Sequence, residues 1–124
     1  MELLSILWVS DYPMDGGRLM TALEAKRAAD NFNQDLFRRA LEKTTKYFNK
    51  QIEENAYQGS YEFCIRSDND DLIIAVGKRE IFELFHNPDL QKELKKQFRT
   101  DGFLVNFDKG YDKDYVRISW REPY

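Results

Sequence analysis

Apolar residues recur along the chain with two periods, one of three to four and one of two, and the changes of period mark its elements. The plainest instruction lies in residues 90–120. Leu90, Leu94 and Phe98 fall at steps of four and predict an amphipathic helix, which Gly102 closes. Phe103, Val105 and Phe107 then alternate with Leu104 and Asn106. Val116, Ile118 and Trp120 alternate with Tyr115, Arg117, Ser119 and Arg121. Two such runs joined by residues 108–114 predict an antiparallel hairpin with one apolar face. Trp120 is placed in the core by this register, and its removal would then cost about 3–5 kcal/mol. Asn87-Pro88-Asp89 supplies the helix start: an N-cap, a proline at the first helical position and an acid in the first turn.

The same logic reads the earlier chain. Thr21-Ala22-Leu23-Glu24 fits a capping box, in which the Thr and Glu side chains each satisfy the other's backbone N–H. The short helix that follows is predicted to end at Asn31-Phe32-Asn33. Asn33 then caps a longer helix over residues 34–57, with Asp35 in its first turn. Leu36, Phe37, Ala40, Leu41, Phe48, Ile52 and Ala56, with Thr44 and Thr45 between them, form its buried face. Its outer face carries Arg38, Arg39, Glu42, Lys43, Lys46, Lys50, Glu53 and Glu54. Like-charge pairs Arg39–Lys43 and Lys46–Lys50 make the middle of that face positive. Gly59 stands at the C′ position.

Residues 61–66 alternate strictly, which places Tyr61, Phe63 and Ile65 toward the core and Glu62, Cys64 and Arg66 away from it. Residues 67–71 (SDNDD) read as a turn. The β-branched run 72–76 reads as a second strand buried on both sides, with a buried helix as the competing reading. Gly77 interrupts, and residues 78–86 are helical with Ile81, Phe82, Leu84 and Phe85 apolar. Residues 1–10 are β-prone and run into a turn-rich segment. They form either an edge strand and loop or an upstream extension. Gly16-Gly17 can be encoded by a purine-rich ribosome-binding run just before Met20, which would then be the natural start. The expected organisation is residues 1–19 as this strand or extension and 20–124 as a single α+β domain. That domain is an antiparallel sheet of about four strands with helices packed on one face.

Composition narrows the class. In 124 residues, 42% hydrophobic and 15% aromatic, there is enough apolar surface for a core and too much for a disordered chain. A net charge of −3 argues against a dedicated polyanion binder but leaves room for local basic faces. A single cysteine, Cys64, excludes an internal disulfide and suits a reducing compartment. No run approaches the roughly 18 apolar residues of a membrane span, and residues 3–9 lack the basic flank and cleavage site of a signal peptide.

Over residues 20–121 the pattern resembles small bacteriophage and prophage proteins. The shared features are the start Met20-Thr21-Ala22-Leu23-Glu24-Ala25-Lys26, an Asn-containing break, a long helix ending at Gly59 and an alternating strand. The close of the chain completes it: Leu94, Phe98, Gly102-Phe103-Leu104-Val105 and Ile118-Ser119-Trp120. The resemblance is one of pattern and carries no catalytic motif. It implies a phage origin and an α+β fold, with residues 72–89 as an inserted strand and helix.

Candidate chemistry is sparse. Asp68, Asp70 and Asp71 lack the mid-loop glycine and distal Glu of a calcium loop, and a solvated hairpin turn accounts for them. Asp108, Asp112 and Asp114 are interleaved with Lys109 and Lys113, which compete with any cation. Gly110 is expected to supply a positive φ there. His86, at a helix end, has no nucleophile or orienting carboxylate beside it in sequence, and Cys64 has no neighbour that would lower its pKa. No catalytic, cofactor-binding or metal-binding residue is assigned.

Two binding surfaces remain. Lys92, Lys95, Lys96 and Arg99 form a basic face on the last helix, which Arg117 and Arg121 would extend if the helix crossed the hairpin; this is the nucleic-acid candidate. Tyr111, Tyr115, Arg117 and Arg121, with Tyr124 nearby, present the residue types enriched at protein interfaces. The sequence therefore points to a non-enzymatic phage or prophage protein, in the host cytoplasm or the virion, without cofactor or membrane partner. Its partner would be a virion or assembly protein, or a host or defence protein that it inhibits. Nucleic acid is the alternative partner, and a second copy of the chain could also cover the tyrosine face.

Overall fold

The computed structural model describes residues 20–110 and 113–122. The expectations for residues 1–19, and for Tyr111, Asp112 and Tyr124, lie outside the described residues. Two compact units meet in sequence between Gln34 and Asp35. Four helices and three strands are described: α1 (Ala22–Tyr57), β1 (Glu62–Arg66), α2 (Asp70–Val76), α3 (Lys78–His86), α4 (Pro88–Thr100), β2 (Leu104–Lys109) and β3 (Asp114–Ser119). No helix among the described residues is long and apolar enough to cross a membrane.

In the first unit, the capping box forms as expected. Glu24 Oε1 accepts from Thr21 N at 2.9 Å, and Thr21 Oγ1 accepts from Glu24 N at 3.1 Å. The expected break at Asn31-Phe32-Asn33 does not occur, because α1 is continuous through it. An asparagine inside a helix costs only a fraction of a kcal/mol, whereas a break sacrifices several backbone hydrogen bonds and needs a second nucleation.

The second unit carries the core. From Leu36 onward α1 buries Leu36, Ala40, Thr44, Phe48 and Ile52, a stripe at steps of four that leaves the expected Ala56 exposed. The sheet is antiparallel in the order β1-β3-β2. Its inner face forms two rows across the strands, Phe63–Ile118–Val105 and Ile65–Val116–Phe107. Phe48 of α1 meets Phe63 edge-on at 6.0 Å and Phe98 of α4 at 6.2 Å, so helices and sheet share one aromatic cluster. Leu90, Leu94 and Phe98 point α4 into the same core, as their spacing predicts. The Asn87 cap is also as predicted: its Oδ1 accepts from Asp89 N at 3.0 Å and Leu90 N at 3.3 Å.

Among the described residues the sheet has three strands, not about four. Residues 70–76, read as the second strand, are helix α2. Asn69 Oδ1 accepts from Leu72 N at 3.0 Å, and Asp70 and Asp71 occupy the first turn, where the dipole favours acids. Leu72 and Val76, four apart, are buried while Ile74 and Ala75 are exposed, a helical pattern. SDNDD is accordingly a strand-to-helix junction and not a hairpin turn. Gly77, at φ +112°, ends α2 and opens α3, a conformation that side-chain-bearing residues rarely adopt.

Candidate functional site

Strand alternation gives the sheet an outer face that no described helix covers. Its residues align in three rows: Glu62–Ser119–Leu104, Cys64–Arg117–Asn106 and Arg66–Tyr115–Asp108. Arg117 sits at the centre, with its guanidinium 6.0 Å from the Tyr115 ring centroid. Glu62 is the largest influence holding the Arg117 pKa above its ordinary value, followed by Cys64 across the register. Arg121 lies past the end of β3 with its guanidinium 4.5 Å from the centroid of the Tyr61 ring. Tyr61 was expected in the core. It precedes β1 instead and is 53% exposed, its carbonyl accepting from Trp120 N at 3.0 Å. Trp120 is half-buried against the core, its ring 6.1 Å from that of Phe103.

Of the four residues assigned to protein binding, Tyr115 and Arg117 share this face, and Arg121, past the end of β3, contacts Tyr61 instead. Tyr111, the fourth, is outside the described residues. Tyr61, which sequence alternation consigned to the core, pairs with Arg121. Three strands about 4.8 Å apart, of five, six and six residues at about 3.4 Å each, make a patch of roughly 280 Å². A standard interface covers roughly 800 Å² per partner, so this face can be the centre of an interface but not its whole extent. Among the described residues the order β1-β3-β2 gives β1 and β2 one strand neighbour each.

The basic row on α4 is a separate surface. Lys92, Lys95, Lys96, Arg99 and Thr100 line a hollow of about 440 Å³. Lys95 also reaches the Phe107 ring, with Nζ 5.9 Å from its centroid. Because α4 packs on the sheet's inner side, Arg117 on the outer side does not extend this row, contrary to the sequence expectation.

The remaining candidates have local structural partners. Asp68 receives Arg66 Nε and a second guanidinium nitrogen at 3.2 Å each. His86 is exposed in the last turn of α3, its ring 4.2 Å from that of Phe82. Cys64 is a free, exposed thiol on the outer face. Gly110 does not adopt the expected positive φ. Its hydrogen side is pressed against the Lys113 carbonyl, which a Cβ would strike, so it is close approach that requires glycine there. Among the described residues no group of three His, Cys, Asp or Glu side chains is placed to hold a metal ion.

Two features went unnoticed in the sequence. Ile74 and Phe82 are 82% and 64% exposed, although both belong to apolar runs. The helical phase of residues 70–76, had it been recognised, would have put Ile74 outside. A scan of protein-family models, a search of curated proteins and a search of solved structures each gave no match to this chain.

Proposed function

We propose that the chain is a non-enzymatic protein whose outer sheet face binds another protein. The observation that carries this reading is the patch centred on Arg117, which no described residue covers, where Tyr115 lies against the Arg117 guanidinium and between Arg66 and Asp108 in one row, with the Tyr61–Arg121 pair past the strand ends. Tyr and Arg are the residues that most often dominate interface energies. The resemblance to phage and prophage proteins supports a host, defence or virion protein as the partner. An affinity pull-down from infected host cells tests this, with wild-type chain beside Tyr115→Ala and Arg117→Glu. The reading requires specific proteins to be captured by the wild type and lost by both variants. Capture that survives both substitutions would reject the outer face as the binding site.

The basic row supports a second reading, as a nucleic-acid accessory protein, because four cationic side chains line one hollow. Four phosphate contacts on a single strand give a slope of log affinity against log salt of about −3. A gel shift with that slope, abolished by Lys95→Glu with Lys96→Glu, would favour this reading over the first.

A further inference from the structure

A groove of about 630 Å³ lies between α1 and α2. Lys43, Lys46 and Lys50 form its α1 wall. At i, i+3 and i+7 they fall on one side of the helix, within about 60° of each other, and span about 10 Å along its axis. The ion pairs of α1 are made by Lys26, Arg38 and Arg39; among the described residues none of the three groove lysines has a carboxylate within 4.0 Å. The opposite wall is α2, which brings Asp71 and two apolar side chains. Ile74, 82% exposed, and the exposed Ala75 stand on α2. Between the walls is the half-buried Tyr47, whose phenol pKa is raised by burial first and then by Asp71 and Glu54. Glu54 and Asp71 line the same groove and act on Tyr47, and neither comes within 4.0 Å of a lysine of the row.

We propose that this groove docks an acidic amphipathic helix of a partner protein. Carboxylates at i, i+3 or i+4, and i+7 of such a helix span the same 10 Å or so and face the lysine row. A large apolar side chain on its flank covers Ile74 and Ala75, in the helix-in-groove mode. A nucleic-acid strand fits less well. Its uniform negative charge would be brought against Glu54 and Asp71, and its hydrated backbone would leave Ile74 uncovered. The inference shares the protein-binding reading but not its surface, so the two fail separately.

The test is a nuclear magnetic resonance titration of the isotope-labelled full chain. The probes are a synthetic Glu/Leu peptide with that helical spacing, a scrambled peptide of the same composition and a short oligothymidylate. The helical peptide is expected to shift the amides of residues 43–54 and 71–75. Ile74→Ser is expected to weaken it about tenfold, the loss of roughly 1.4 kcal/mol of apolar contact. Lys46→Glu with Lys50→Glu should abolish binding, while Arg117→Glu leaves it unchanged. All these positions are exposed, and circular dichroism verifies that the variants stay folded. The proposal is overturned if the scrambled peptide binds equally, if oligothymidylate gives the same shifts more tightly, if the shifts fall on Tyr115 and Arg117, or if no probe shifts the groove.

Discussion

Thr44 offers the sharpest check on the packing of α1. It is 0% exposed, one turn from both Ala40 and Phe48, and its Oγ1 has no hydrogen-bond partner. A buried hydroxyl without a partner costs roughly 1–3 kcal/mol, and an apolar group of the same shape avoids that cost. Valine has threonine's shape and nearly its helix propensity. Thr44→Val is therefore expected to stabilise the fold by about 1 kcal/mol. An unfolding entropy of about 2.1 cal/mol/K per residue gives about 0.26 kcal/mol/K for 124 residues, so Tm should rise by about 4 °C. Thr44→Ser is the counterpart, keeping the hydroxyl and deleting a buried methyl; it should destabilise by about 1 kcal/mol. Urea unfolding followed by circular dichroism reads both, with an unchanged m-value showing that the same surface unfolds. If Thr44→Val instead costs 1 kcal/mol or so, the hydroxyl is bonded in solution, most simply to the Ala40 carbonyl four residues back, and the argument from an orphaned hydroxyl is wrong.

Other substitutions probe the junctions. Gly77→Ala should cost about 1–3 kcal/mol, from the strain of a side chain at φ +112° and because its Cβ displaces the Glu80 carboxylate that accepts from Arg39 Nε at 3.2 Å. Asn87→Ala should cost about 1–2 kcal/mol in the same assay, since it removes the α4 cap and the 2.7 Å bond from Asn87 Nδ2 to Glu83. Trp120→Ala should cost about 1–2 kcal/mol and not the 3–5 of a fully buried ring, because the indole is only half-buried. The Asp35 carboxyl is held below its ordinary pKa, chiefly by the hydrogen bond from Arg38, with Arg39 assisting. A group lowered on folding stabilises above its unfolded pKa and loses that contribution as pH falls through the folded one. A carboxyl-detected titration should accordingly place its midpoint below that of the Arg38→Gln variant, and added salt should narrow the gap.

Where local chemistry and burial agree, the fold was legible from residues alone. Asn87-Pro88-Asp89 combined an acceptor, a residue lacking its N–H and an acid at the dipole's positive end, and α4 starts there. The hairpin was legible because a one-residue slip would turn Val116 and Ile118 to solvent. Residues 69–77 were misread because the β-branched run at 72–76 was weighed above the cap preceding it. Asn69-Asp70-Asp71 carries the same kind of start signal as Asn87-Pro88-Asp89, and seven residues between a cap and a glycine suffice for a helix that buries only Leu72 and Val76. Asn31 and Asn33 show the converse. A cap-forming residue begins a helix only where the preceding chain is not already helical.

The surfaces were less legible for a reason that lies in the physics of exposure. A residue's type fixes what it can bind, but exposure is decided by neighbours distant in sequence. Alternation placed Arg117 and Tyr115 on one face correctly, because the period-two rule spans a whole strand. It failed at Tyr61, one residue beyond the strand's end, where the ring could swing out to Arg121 sixty residues away. The like-charge pair Lys46–Lys50 was visible in the sequence, yet it defined a site only once residues 70–76 became a helix and laid Ile74 opposite it. A strand there would have buried Ile74 and left the lysines as an ordinary solvated helix face. The reading of one short element thus decides whether the positive middle of α1 is one wall of a groove or open surface, and the Ile74→Ser and Lys46→Glu with Lys50→Glu variants test that dependence directly.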